Sequence, residues 1–184
     1  MKPKMIVHIG TPKTGTTTIQ RALYESRLRM RTECDLYFGS TERGRTKGRT
    51  TSMARAALGS PEDVAAERQA VYDDFERSGA GNIFLTDEIL SAAKECMADF
   101  FRPFADDFDI TVICYLRRQD YFVESLYNQA IRKRNYRNVP PVNEFARDEA
   151  TVPRGDFHTI LSRWAEFADK MVVRDFRKEV KEVG

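Results

Sequence analysis

The chain has 184 residues, 41% of them hydrophobic, and its 30 Lys+Arg against 28 Asp+Glu leave a formal net charge of +2. That length fits one domain, residues 1–184, with a proper core, and so small a net charge excludes a polybasic nucleic-acid binder, so any anion site is local. Cys34, Cys96 and Cys114 stand at wide spacings that suit neither a disulfide framework nor a zinc site, which points to a reducing, cytoplasmic setting. No stretch approaches the ~18 apolar residues of a membrane span, and the apolar run Met5 to Ile9 is too short for a signal-peptide core.

In chain order, the β-branched run "KMIVHIG" at 4–10 reads as a strand, and Thr17 to about Arg31 as a helix with Ile19, Leu23 and Met30 on related faces. "GSTERGRTKGRTTS" at 39–52 reads as a long mobile loop. A helix is expected from Pro61 to Arg77, with Ser60 as N-cap, Pro61 at the first helical position and Asp63 in the first turn. "NIFLTDE" at 82–88 and "DITVICYLR" at 109–117 read as strands, followed by a helix from Asp120 to about Arg134. "NYRNVPPVNE" at 135–144 is broken by Pro140 and Pro141. An amphipathic helix carrying Trp164 in 155–170 leads into a last strand, "KMVVRDF" at 170–176. Apolar strands alternating with helices predict a three-layer α/β domain, a central parallel sheet with helices on both faces.

Gly10 to Gly15 form G-x-x-x-x-G between the first strand and the first helix, where backbone amides and a helix N-terminus converge on an anion. In the loop of nucleoside triphosphatases a lysine directly follows the last glycine and reaches the β/γ-phosphates, while the next hydroxyl holds magnesium. Here that position is Thr16, and the lysine, Lys13, lies inside the loop.

"TPKTGTT" resembles the 5′-phosphosulfate loop of the sulfotransferases that use 3′-phosphoadenosine-5′-phosphosulfate (PAPS), in their bacterial and carbohydrate-type branch. The resemblance implies that Lys13 contacts the oxygen bridging phosphate and sulfate, and that Thr14, Gly15, Thr16, Thr17 and Thr18 supply donors to the 5′-phosphate without a metal. The chemistry agrees, since sulfuryl transfer leaves negative charge on the departing phosphate, which a fixed cation stabilises most in the transition state. Thr18 stands where the cytosolic, small-molecule branch usually has tryptophan.

A second piece is "CYLRRQDYFVESLYNQ" at 114–129. Sulfotransferases carry an arginine at a later strand end and a serine eight residues on, both implied to bind the 3′-phosphate, and Arg117 and Ser125 have that spacing. The usual Arg-Asn-Pro is replaced by Arg-Arg-Gln, leaving Arg118 either on the phosphate or solvated. "DFHTILSRWAEFADKMVVRDF" resembles the helix-then-strand segment of the same branch. The chain stops at Gly184, where members typically continue for several dozen residues, as a short or truncated member would.

Transfer to a hydroxyl or amine needs a base for the acceptor proton. "IFLTDEIL" ends its strand in Asp87-Glu88 at the expected ligand edge, and Glu88 is the first candidate, Asp87 the second; the pair also suits a helix N-cap. His8 reads as a packed, hydrogen-bonded strand histidine. The function expected is a PAPS-dependent sulfotransferase acting on a saccharide or another small-molecule acceptor. Its main rival is a magnesium-dependent P-loop kinase or hydrolase, with "IFLTDE" as the metal-binding strand. A third reading is a binding module for an anionic glycan or nucleic acid, using Arg43, Arg45, Lys47, Arg49, Arg55 and "RKRNYR" at 132–137.

Overall fold

A computed structural model describes residues 1–39, 51–92, 94–133 and 139–178. Among these, β1 (Lys4–His8), β2 (Leu36–Phe38), β3 (Asn82–Thr86), β4 (Asp109–Leu116) and β5 (Lys170–Asp175) form one sheet of order β2-β3-β1-β4-β5. Each pairing is parallel. The four runs expected as strands are strands, and β2 is the addition, too short at three residues to show a pattern of its own.

Alternation along the strands sorts side chains between two faces. Met5, Val7 and Ile9 join Ile83, Leu85, Ile110, Val112 and Cys114 in the main core. Against them pack Met53 of α3 (Thr51–Ala56), Val71 of α4 (Pro61–Ser78), Phe100 and Phe101 of α5 (Glu95–Phe101) and Trp164 of α9 (Phe157–Ala165). The opposite face shows buried His8, Phe84 and Thr86, with Phe38 against Phe84. On the right-handed crossover rule, the step from β1 to β2 runs across the sheet in the opposite direction to all later steps. Its helices, α1 (Thr16–Glu25) and α2 (Arg27–Cys34), therefore fall on the face away from α3, α4, α5 and α9. The result is a three-layer α/β fold.

Local rules explain most boundaries. Ser60 accepts from the Asp63 amide while Asp63 accepts from the Ser60 amide, a capping box that starts α4, and Gly79 ends it in the left-handed region at φ 59°. The helix expected over Thr17 to Arg31 is instead two: Ser26 leaves helical geometry at φ −88°, ψ 1° and divides α1 from α2. The stretch expected as a loop over 39–52 gives way to α3 at Thr51, and residues 40–50 lie outside the described ones. Between β4 and β5 the chain forms α6 (Gln119–Lys133), α7 (Val142–Arg147), α8 (Val152–Gly155) and α9. Among the described residues no helix is long and apolar enough to cross a membrane.

Candidate active site

β1 pairs with β3 on one side and β4 on the other, so the chain leaving β1 crosses the carboxyl edge of the sheet between them, where such sheets bind ligands. The Ile9 amide donates to the Ile113 carbonyl at 3.0 Å and the Asp87 amide to the His8 carbonyl at 3.2 Å, anchoring the start of the loop to both neighbours. Lys13 and Gly15 then take left-handed conformations, at φ 70° and φ 71°. For glycine this is free, whereas for Lys13 it costs roughly 1–2 kcal/mol, so the surrounding loop holds the residue there.

Three hydrogen bonds brace that shape. Thr11 donates its hydroxyl to the Tyr115 carbonyl at 2.8 Å, Thr14 donates to the Thr11 carbonyl at 2.6 Å, and Arg117 Nη1 donates to the Lys13 carbonyl at 3.3 Å. The Thr14 hydroxyl is thus spent inside the loop, leaving its backbone as the group able to meet a ligand. The Thr18 amide donates to the Gly15 carbonyl at 2.9 Å, and the amides of Gly15, Thr16 and Thr17 precede this first helical bond. Among the described residues no side chain caps α1, an end whose dipole favours an anion. Thr17 and Thr18 are exposed, Lys13 is half-buried and Thr16 is buried. Gly10 admits no side chain: a Cβ there would lie 2.4 Å from Thr16 Cγ2 and 2.9 Å from His8 Cε1.

The two carboxylates after β3 separate cleanly. Asp87 is 1% exposed and its side chain accepts from the Ile89 amide at 2.7 Å, capping a 3-10 turn over Glu88–Ser91. Glu88 is half-buried and accepts from the Thr16 hydroxyl at 2.8 Å, so it stands against the first residue of α1. Lys13, Thr16, Glu88 and Arg117 are thereby linked around one loop.

Ser125 lies farther along α6, half-buried, and no hydrogen bond among the described residues joins it to Arg117. Arg118 turns to Asp120, with Nε donating to Oδ1 at 2.7 Å, and this partnership lowers Asp120 to about 2. Arg117 Nε is buried with no hydrogen-bond partner among the described residues. A cleft of about 460 Å³ opens beside it, lined by Arg117, Arg118, Gln119, Phe157, Arg174 and Asp175 among others.

His8 supports the loop from below. It is 1% exposed, shares a 2.8 Å hydrogen bond with Thr86 and meets the Tyr115 ring edge-on at 5.9 Å. Burial lowers its pKa to about 4, so it is neutral near pH 7. Sequence reasoning missed Phe176, which follows β5 and packs on the loop from above: a Cβ on Gly15 would meet its ring at 3.1 Å. The available signal was position, since the carboxyl ends of all parallel strands share this edge.

Of the basic segments, Arg43, Arg45, Lys47 and Arg49 lie outside the described residues, as do residues 134–137 of the second cluster. Arg55 is exposed on α3 and shares a groove with Asp63 and Glu67, so its surroundings are not uniformly basic. The three cysteines are free thiols, with Cys34 exposed and Cys114 buried.

No protein-family pattern matches the chain and no curated protein matches it. A sulfotransferase from Alicyclobacillus acidocaldarius superposes with a TM-score of 0.55 at 16% identity, covering 100% of this chain and 76% of that one. A Chloroflexus aurantiacus chain named only provisionally as a kinase reaches a TM-score of 0.35 at 12% identity, over 100% of this chain and 97% of that one, too low to carry weight. The chain has a sulfotransferase-like α/β fold built on an all-parallel sheet.

Proposed function

We propose that this protein transfers a sulfuryl group from PAPS to a hydroxyl or amine acceptor, with a saccharide as the acceptor class. The observation that carries the reading is Lys13: a lysine held at φ 70° within the anion loop, its carbonyl gripped by Arg117, while Thr16 occupies the position after the last glycine. A triphosphate loop needs its lysine at that later position.

The residues present fit such a donor. Amides before the first bond of α1 suit the 5′-phosphate, and the unpartnered, buried Arg117 Nε beside an open cleft suits an anion farther along the molecule. Lys13 would stabilise the charge left on the departing phosphate as the bridging bond to sulfur breaks. Glu88 would take the proton from the acceptor hydroxyl as its oxygen bonds to sulfur, giving a sulfate ester and adenosine 3′,5′-bisphosphate. A reducing, cytoplasmic setting for three free thiols belongs to the same proposal.

A second reading has one observation in its favour. The Thr16 hydroxyl and Glu88 carboxylate, 2.8 Å apart, are the ligand types that hold magnesium beside a triphosphate. Thermal shift decides between them. The sulfotransferase reading expects stabilisation by adenosine 3′,5′-bisphosphate without magnesium; stabilisation by ATP alone, dependent on magnesium, overturns it. Mass spectrometry of a saccharide panel incubated with PAPS then tests the transfer itself.

A further inference from the structure

A separate pocket opens on the far half of α6, where the chain folds back over that helix through α7 and α8. Its volume is about 300 Å³, at the lower end of the range for small-molecule sites, which leaves room for one ring-sized ligand rather than an extended one. Leu126, Pro140 and Phe145 form an apolar wall, and Phe145 is set there by an edge-on contact with Tyr127, 5.4 Å between ring centroids. Gln129, Asp148, Thr151 and Arg154 supply the polar lining. Backbone bonds fix this frame. Asp148 Oδ1 accepts from the Ala150 amide at 2.7 Å and the Asp148 carbonyl from the Thr151 amide at 2.8 Å, while Gln119 Nε2 donates to the Gly155 carbonyl at 2.8 Å, tying the end of α8 to the start of α6. The lining side chains themselves are left over: among the described residues, none of Gln129, Thr151 and Arg154 has a side-chain hydrogen bond or ion pair, although Thr151 is only 5% exposed.

This set of polar groups complements hydroxyls. A hydroxyl donates one proton and accepts through two lone pairs; Arg154 only donates, the Asp148 carboxylate only accepts, and Gln129 and Thr151 do both. One guanidinium and one carboxylate leave the lining without net charge, which disfavours an ionic ligand. We infer that this pocket binds a neutral polyhydroxylated ring, a saccharide unit, with a C–H face of the ring on the Phe145 wall and its hydroxyls on the four polar side chains. The inference goes beyond the donor reading above and does not depend on it. Leu126 to Ala130 lie roughly 10–15 Å along α6 from its first residue, and no residue of the loop between β1 and α1 lines the pocket.

Titration of the full chain, without nucleotide, with methyl β-glucoside, methyl β-galactoside and N-acetylglucosamine tests it by amide NMR, with glucuronate as the charged control. At least one neutral sugar should give saturable shifts, with a millimolar Kd, at the Ala150 and Thr151 amides and the Gln129 side-chain amide. Arg154→Ala should weaken that binding about tenfold, as loss of a charged hydrogen bond does, and Gln129→Leu about threefold. An unchanged Tm in both variants shows that they are folded. No saturable shift with any neutral sugar, a preference for glucuronate, or an affinity that neither variant alters overturns the inference. Because no nucleotide is present, such a failure leaves the donor reading standing, and a chain that fails to bind adenosine 3′,5′-bisphosphate but binds a neutral sugar here overturns the donor reading alone.

Discussion

Thr16 and Glu88, 72 positions apart in the chain, are joined by a 2.8 Å hydrogen bond in which the hydroxyl donates to the carboxylate. The bond fixes the candidate base against the first turn of α1. A hydroxyl has one proton to give, so an anion in the loop and Glu88 compete for it, and phosphate binding would leave the carboxylate freer to accept from an acceptor.

Glu88→Gln keeps the size of the side chain and removes the proton acceptor. Turnover should fall by about 10²–10⁴-fold, the usual contribution of a general base, with adenosine 3′,5′-bisphosphate affinity unchanged. Steady-state kinetics beside calorimetry checks this, and wild-type turnover would remove Glu88 from the role. Asp87→Ala should act on stability instead, by about 1 kcal/mol, because that residue caps a 3-10 turn.

Lys13→Ala should lower turnover by about 10²–10³-fold, as loss of one charge-stabilising donor does elsewhere. Arg117→Ala should mainly weaken nucleotide binding, since its guanidinium holds the Lys13 carbonyl and faces the adjoining cleft. Comparing kcat with the bisphosphate Kd for both variants separates the two roles.

Gly10→Ala forces a methyl group to within 2.4 Å of Thr16 Cγ2 and 2.9 Å of His8 Cε1, so a neighbour must shift, and displacement of Thr16 should weaken its bond to Glu88. Overpacking of this kind costs about 1–3 kcal/mol. At about 2–4 °C per kcal/mol for a chain of this size, Tm should fall measurably, and turnover with it.

His8 sets a pH dependence. Its folded-state pKa, about 4, lies below the ordinary 6.5, so the unfolded chain binds the proton more readily. The stabilising contribution is complete above pH 6.5 and is lost progressively as pH falls toward 4. At about 1.4 kcal/mol per pKa unit the loss reaches about 3 kcal/mol. Urea midpoints measured from pH 7 to pH 4 should decline in the wild type, with a shallower decline in His8→Asn.

The strands β1, β3, β4 and β5, helix α4 and the glycine-bounded loop between β1 and α1 were legible because each is written in near neighbours. β-branched runs, a Ser60/Asp63 cap and glycines at 10 and 15 act through sterics and hydrogen bonds within a few residues. The break at Ser26 and the three-residue β2 were not, since neither changes the apolar pattern on which such a reading depends.

Sequence alone therefore determined that a glycine-bounded loop with an internal lysine joins a strand to a helix in an α/β chain, and it named Glu88 and Arg117 as candidate companions. Tertiary structure decided how they meet. The order β2-β3-β1-β4-β5 brings the ends of β3, β4 and β5 around the loop, so that Glu88 reaches Thr16, Arg117 reaches Lys13 and Phe176 covers Gly15. Those contacts link residues tens to more than a hundred positions apart, and local propensity carries no information about which strand pairs beside which.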